Sequence, residues 1–109
     1  MKSIRLNIED IFNLPSSVIY NPDDLKPVSH ITIDSRSVKK KSLFIAIKGK
    51  KFDGHNFVKE AVSKGASAVL INVDKYKNYD ELSVPIITVA NTTNALGSIA
   101  NIWRKKLAT

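Results

Sequence analysis

The chain lacks several features that would define common classes of protein. It has no cysteine, which excludes a disulfide or a cysteine-based zinc site. Its four glycines show neither the GxGxxG spacing of a Rossmann fingerprint nor the GxxxxGK[ST] spacing of a Walker loop. The longest apolar run, LFIAI, is too short to cross a bilayer, and the N-terminal stretch has no apolar signal core. We therefore expect a cytoplasmic protein without a membrane partner.

Acidic residues are also missing from a long central interval. No Asp or Glu lies between Asp34 and Asp53, although this interval holds seven of the 17 lysines and arginines, and the chain has a net charge of +7. Positive charge concentrated in this way attracts phosphates, nucleotides or nucleic acid. The alternative is that the lysines at 39–41 only form a solvated surface.

The hydrophobic pattern predicts strands that alternate with helices. HITID alternates like a strand with one buried face, which would include Ile31 and Ile33, whereas SLFIAI, ASAVLINV and VPIITVA are apolar runs typical of strands covered on both faces. Helices are predicted over residues 7–12, between Asp53 and Gly65, and over residues 91–107. The last helix would be capped by Asn91, Thr92 or Thr93, and its apolar stripe would include Leu107 and Trp103, the latter in the core. The proline-containing stretch 14–27 is predicted to form turns. The predicted class is α/β, a single compact domain with a mixed or partly parallel sheet flanked by helices.

A first candidate site follows the predicted strand HITID. Asp34, Ser35 and Arg36 bring together an acceptor, a hydroxyl and a guanidinium. Ligands of open α/β sheets bind beyond the carboxyl ends of the strands, and Arg36 could hold a phosphate through two hydrogen bonds. The alternative is a turn in which Asp34 and Arg36 simply pair with each other. The residues alone leave both interpretations open.

A second candidate site is the stretch KGKKFDGH, residues 48–55, between a predicted strand and a predicted helix. Its glycines permit unusual backbone conformations, and the amides at the start of the helix would face an anion. Lys50 and Lys51 add positive charge, and Phe52 offers a flat face to a base or a sugar. The alternative is a helix start capped by Asp53 with surface lysines around it.

The remaining residues suggest no chemistry. His30 and His55 have no second ligand at metal spacing, and no Ser/His/Asp set or carboxylate pair is present, so we predict no catalytic residue and no metal. These residues favour a domain that binds an anionic ligand. A nucleic-acid-binding module is a more distant alternative, since it would need exposed aromatics, and Phe44 and Phe57 are predicted to be buried.

Three segments resemble the N-terminal domain of the Mur ligases in order and spacing. They are IDSRSVKKKSLFIAIKGKKFDGHNF, AVSKGASAVLI and ITVANTTNALGSIA, and the resemblance covers nearly the whole chain. It is to the branches that add the third amino acid or the terminal dipeptide to the cell-wall precursor. The opening IEDI, the KGKKFDGHNF run and ALGSIANIWRKK favour the branch that adds D-alanyl-D-alanine, and the branch that adds the diamino acid is the alternative.

The resemblance implies a specific division of labour. Residues 1–109 would be the domain that holds the UDP end of UDP-MurNAc-tripeptide, without a cofactor of its own. The parent enzyme would bind ATP and Mg²⁺ in a central domain, and this domain and a C-terminal domain would lie outside the chain, so the chain alone should be inactive. The expected partners are the UDP-MurNAc-peptide and these two domains, with no nucleic acid. The implied substrate-binding residues are Asp34, Ser35, Arg36, Gly49, Lys50, Lys51, Phe52, Asp53, Gly54 and His55.

The sequence departs from the family pattern at two turns. Lys40-Lys41-Ser42 stands where Pro-Gly-Asp is usual, which leaves the geometry of that turn open. Lys50 stands where an acid is common, which makes the second candidate loop more basic than is usual in the family.

Overall fold

The structure is a computed structural model and describes residues 6–107. Residues 1–5, which belong to the stretch predicted to lack an export signal, lie outside this range. One five-stranded sheet has the order β1-β5-β4-β3-β2, with β2 to β5 mutually parallel and β1 antiparallel to β5. The strands are β1 Val18–Tyr20, β2 His30–Thr32, β3 Ser42–Ile45, β4 Ala68–Asn72 and β5 Ile86–Val89. The mixed sheet confirms the predicted class.

Helices cover both faces of the sheet. The α-helices are α1 Ile8–Phe12, α2 Val58–Ser63 and α3 Thr92–Leu107, and short 3₁₀ helices cover Pro22–Asp24, Ser35–Ser37, Gly54–Phe57 and Val73–Asn78. One core cluster combines strand residues with residues of α1 and α3, and a second combines strand residues with α2 and the Val73–Asn78 region. Burial of the apolar side chains in these two clusters is the main stabilising contribution.

Strand β3 is covered on both faces of the sheet. Leu43 and Ile45 belong to the cluster of α1 and α3, while Phe44 and Ala46 belong to the opposite cluster. All four are completely buried. A strand covered on both faces needs no polar face, which is why this segment is continuously apolar.

Polar residues and a glycine mark the ends of the helices, although Asp53, predicted to cap the second helix, caps the 3₁₀ helix Gly54–Phe57 and α2 itself begins at Val58. The carboxylate of Asp10 accepts a hydrogen bond from the N–H of Asn7 at 2.8 Å, in the first turn of α1. Gly65, with a φ of +108°, lies just beyond the last turn of α2. Of the three residues considered as the cap of α3, the side chain of Asn91 accepts the N–H of Asn94 at 3.0 Å.

Four details differ from the sequence-based expectations. Strand β1 lies within the stretch predicted to form turns, and it forms because its three residues pair with β5. Ile33 is 54% exposed instead of buried, since β2 ends at Thr32. Leu107, predicted to lie on the apolar stripe of α3, is also exposed. Trp103 is half-buried against the cluster of α1 and α3, where a core position was predicted.

The turn before β3 keeps a geometry that suits glycine. Lys41 has a φ of 64°, in the left-handed region that side chains resist. This is the position at which the family pattern has glycine.

No helix within residues 6–107 has the length and apolar character needed to cross a membrane.

Candidate functional site

An open cleft of about 950 Å³ lies beyond the carboxyl ends of β2 and β3. Parallel strands end at the same edge of a sheet, so the segments that follow β2 and β3 meet there. The cleft is lined by Ile33, Asp34, Ser35, Arg36, Ile47, Gly49, Lys50, Lys51, Phe52, Gly54, Phe57 and Glu60. Eight of the ten residues predicted from the sequence are in this lining, and Asp53 and His55 are not.

The lysine-rich loop is a small hairpin, here called the lysine hairpin (residues 48–53). The N–H of Gly49 donates to the carbonyl of Phe52 at 2.7 Å and closes its turn. Below the turn, the N–H of Gly54 donates to the carbonyl of Ile47 at 2.8 Å. Lys50 and Lys51 occupy the turn, and no ion pair within residues 6–107 involves either lysine. The hairpin therefore adds two uncompensated positive charges to the cleft.

Gly54 is required by the close approach of two backbone segments. A Cβ atom at this position would lie 2.8 Å from the backbone nitrogen of Ile47 and 3.2 Å from the Cα of Ala46. A Cβ on Gly49 would meet only the carbonyl oxygen of Phe52, at 3.4 Å. The glycine at the base of the lysine hairpin is thus constrained sterically, whereas the glycine in its turn is not.

Residues 34–36, here called the arginine turn, form a self-paired unit. Asp34 Oδ1 accepts the backbone N–H of Arg36 at 2.9 Å, and the guanidinium donates to both carboxylate oxygens, with Nη2 2.9 Å from Oδ2. These hydrogen bonds from Arg36 hold the pKa of Asp34 below its usual value. The pairing is the alternative that the sequence left open. The Arg36 side chain is still 82% exposed and keeps further N–H donors beyond those it gives to Asp34.

Glu60 is a member of the cleft that the sequence analysis missed. The hydroxyl of the buried Ser35 donates to Glu60 Oε2 at 2.9 Å, and Lys64 Nζ lies 3.3 Å from Oε1. The hydrogen bond from Ser35, and then the one from Lys64, lower the pKa of Glu60, which stays ionised at neutral pH. Helix α2 begins just beyond β3, so its first turn lies at the carboxyl edge of the sheet. That placement, inferred from topology, could have brought the first turn of α2 into the candidate site, but it does not single out Glu60.

His55 and Asp53 lie behind the cleft, in the unit here called the histidine turn (residues 53–55). The His55 side chain is only 2% exposed, and its Nδ1 lies 2.6 Å from Asp53 Oδ1. Its Nε2 accepts the backbone N–H of Asn72 at 3.0 Å, so Nδ1 carries the hydrogen and donates to Asp53. The hydroxyl of Tyr79 donates to the carbonyl of His55.

These contacts determine the ionisation of Asp53. Burial by itself would raise the pKa of Asp53, but the hydrogen bonds from the backbone and ring of His55 outweigh burial and lower it. The aspartate and the histidine thus join the base of the lysine hairpin to the end of β4. The structure assigns them supporting contacts and does not place them in the lining.

Aromatic and apolar side chains complete the cleft. Phe52 is 72% exposed, and Phe57 is 38% exposed where the sequence analysis predicted burial. Phe57 ends the 3₁₀ helix that precedes α2, and the helical spacing used for the prediction does not apply through that segment. Together with Ile33, these rings form an apolar surface between polar groups. Within residues 6–107, no three His, Asp or Glu side chains are grouped to hold a metal ion.

Comparison with known proteins places this α/β domain with its cleft in a defined class. The sequence pattern of the Mur ligase family, catalytic domain, matches residues 27–104. The UDP-N-acetylmuramoyl-tripeptide–D-alanyl-D-alanine ligase of Buchnera aphidicola subsp. Baizongia pistaciae is 43% identical over 103 residues, covering 90% of this chain and 22% of the relative. The UDP-N-acetylmuramoyl-L-alanyl-D-glutamate–2,6-diaminopimelate ligase of Aquifex aeolicus is 47% identical over 77 residues, covering 71% and 15%.

Solved structures of Mur ligases contain a domain with the same fold as this chain. MurF from Acinetobacter baumannii superposes with a TM-score of 0.73 at 23% identity, covering 87% of this chain and 20% of that protein. The MurF ligase from Thermotoga maritima in complex with ADP has a TM-score of 0.56 at 34% identity, covering 72% and 17%. The chain belongs to the Mur ligase family. It spans about a fifth of the length of these relatives, and it corresponds to one domain of them.

Proposed function

We propose that this chain is the UDP-precursor-binding N-terminal domain of a cytoplasmic, ATP-dependent ligase that adds D-alanyl-D-alanine to UDP-MurNAc-tripeptide. In this proposal the central and C-terminal domains of the parent supply ATP and Mg²⁺ binding, and the present domain has no catalytic activity by itself. The observation that carries the proposal is that two loops on either side of β3 in the sequence line one cleft with uncompensated positive charge. The relative from Buchnera aphidicola, which matches 90% of the chain, supports the choice of reaction.

The chemistry of the cleft suits a nucleoside diphosphate. Its volume of about 950 Å³ lies within the range of small-molecule sites. Lys50 and Lys51 offer ammonium groups to the diphosphate, and the exposed rings of Phe52 and Phe57 offer surfaces on which a uracil can stack. Asp53 and His55, named as substrate-binding by resemblance, would act from behind the cleft by holding the lysine hairpin in place.

A second candidate reaction is the addition of the diamino acid to the dipeptide precursor. It is favoured by the relative from Aquifex aeolicus, whose identity of 47% exceeds that of the first relative over a shorter stretch. Both reactions use a UDP-MurNAc-peptide, so the cleft proposed here serves either one. Assaying the parent enzyme with the tripeptide precursor and D-alanyl-D-alanine, and with the dipeptide precursor and the diamino acid, separates them, because only the true pair of substrates supports ATP hydrolysis.

The binding proposal is tested by titrating UDP and UDP-MurNAc-tripeptide into the ¹⁵N-labelled chain. We expect chemical shift changes at the amides of Ser35, Arg36 and the lysine hairpin, with weaker binding at higher salt. The double variant K50Q/K51Q should lose about tenfold in affinity, since two charge-assisted contacts are removed. The matched control is K39Q/K40Q, which removes the same charge from exposed lysines outside the cleft lining.

Two results would contradict the proposal. Saturating UDP-MurNAc-tripeptide that leaves the cleft amides unshifted would exclude the cleft as the precursor site. An equal loss of affinity in both double variants would show that only the overall charge matters. Tight, salt-dependent binding of single-stranded nucleic acid across the same amides would instead support the more distant alternative.

A further inference from the structure

The charges of the cleft are unevenly distributed between its two sides. The lysine hairpin contributes Lys50 and Lys51 with no acidic partner among residues 6–107. The other side contains the arginine turn and Glu60, and there each charge has an opposite neighbour. The lysine hairpin therefore attracts an anionic ligand that enters this cleft, whereas the side with the arginine turn and Glu60 presents little net charge to it.

On the side of the cleft opposite the lysine hairpin, Glu60 is the group that can recognise a hydrogen-bond donor. Its Oε2 accepts one hydrogen bond from Ser35 and its Oε1 faces Lys64, which fixes the direction of the carboxylate. Each carboxylate oxygen has two lone pairs, so acceptor capacity remains on the half-exposed side chain. A glutamate with its ordinary pKa of 4.5 is already ionised at neutral pH, and the hydrogen bond from Ser35 lowers that pKa further, so the carboxylate only accepts hydrogen bonds.

An ionised carboxylate that only accepts hydrogen bonds is poorly suited to a phosphate. Like charges a few ångströms apart repel each other, and neither group has a hydrogen to share. A nucleoside is different, because ribose hydroxyls and the N–H groups of a base are donors without negative charge. Phe57 and Ile33 line the same cleft, and their apolar surfaces suit the base and sugar better than the diphosphate.

We infer that Glu60 determines both the orientation and the specificity of ligand binding by accepting a hydrogen bond from a donor of the nucleoside. The diphosphate then points towards the lysine hairpin, and Arg36 stays engaged with Asp34. This inference rests on the proposed function, since it supposes that a nucleoside diphosphate occupies the cleft. It adds the orientation of the ligand in the cleft and names the residue that recognises the uncharged nucleoside.

The test measures the affinities of UDP and uridine for the wild-type chain and for E60Q. Glutamine keeps the shape of the side chain and removes its charge, so the charge-assisted hydrogen bond is weakened. We expect E60Q to weaken the binding of UDP and of uridine by the same factor, about fivefold. The matched control is E81Q, which makes the same change of charge at an exposed glutamate outside the cleft and should leave both affinities unchanged.

Further ligands identify the donor and separate the possible failures. A wild-type preference for UDP over 2′-deoxy-UDP that disappears in E60Q assigns the ribose hydroxyl, and a preference over CDP that disappears assigns the base N–H. Tighter binding of UDP by E60Q, or a uridine affinity that does not change, would overturn the inference while leaving the proposed function intact. A wild-type chain that binds neither UDP nor uridine would overturn both.

Discussion

The arginine turn and the histidine turn begin with the same local structure and end in opposite environments. Asp34 and Asp53 have nearly equal backbone angles, with φ and ψ of −113° and 115° in the first and −110° and 114° in the second. In each turn the aspartate accepts the backbone N–H two residues ahead and a side-chain N–H of that same residue. Yet the Arg36 side chain is mostly in solvent, while His55 is almost completely buried.

The difference shows that the local motif does not decide its own role. Both turns place an aspartate before a 3₁₀ helix beyond the end of a parallel strand. In the histidine turn, however, the ring also meets the N–H of Asn72 at the end of β4, 17 positions along the chain. A short-range pattern of acceptor and donor therefore serves a binding surface in one place and the packing of the domain in the other.

Removing the residue at the end of each turn should give the largest contrast. The variant H55A should lower the free energy of unfolding by about 3 kcal/mol or more, because it leaves a cavity and an unpaired N–H at Asn72. The matched variant R36A should lower the free energy of unfolding far less, since an exposed ion pair contributes little. Urea unfolding monitored by circular dichroism measures both, and equal losses would remove the distinction drawn between the two turns.

Gly54, the middle residue of the histidine turn, should show a smaller effect on stability than His55. G54A should destabilise the domain by roughly 1–3 kcal/mol, because its Cβ would collide with the backbone of Ile47 and Ala46. In the arginine turn the middle position already carries a side chain, at Ser35. The control within the lysine hairpin is G49A, where the nearest atom lies at an ordinary contact distance of 3.4 Å. Urea midpoints compare the two, and similar losses in both variants would contradict the steric argument.

The smallest difference is expected between Asp53 and Asp34, the first residues of the turns. It should appear in how the stability of the domain depends on pH. The pKa of Asp53 is lowered in the folded state from an ordinary value of 3.8, so its contribution is complete above that value and is lost as the pH falls below it. We expect D53N to flatten the fall in stability between about pH 5 and pH 2 by roughly 1 kcal/mol. The control D34N removes an exposed aspartate whose pKa is also lowered, and it should flatten the fall less because solvent screens that pair.

Urea unfolding at a series of pH values measures this difference. Profiles of D53N and of the wild type that remain parallel throughout would show that the hydrogen bonds to His55 make no net contribution to stability. A larger change in D34N than in D53N would reverse the proposed order of the two turns.

The sequence by itself determined the elements and the location of the candidate site. Apolar runs of strand length, the capping residues Asp53 and Asn91, and Gly65 with its positive φ are local features, so they predicted most strands and helices. The gap without acidic residues indicated a surface that attracts anions. The sequence predicted each candidate loop separately, one after β2 and one after β3, and the structure places both loops in the lining of one cleft.

Tertiary structure alone decided which residues face the cleft. Strand β1 exists because β5 supplies its partner, and Glu60 belongs to the site because Ser35 and α2 pack together. The inward position of His55 likewise depends on a backbone N–H in another strand, which no spacing within the motif encodes. Hydrogen bonds between neighbouring residues follow from the order of the chain, but burial depends on groups that only the folded domain brings together.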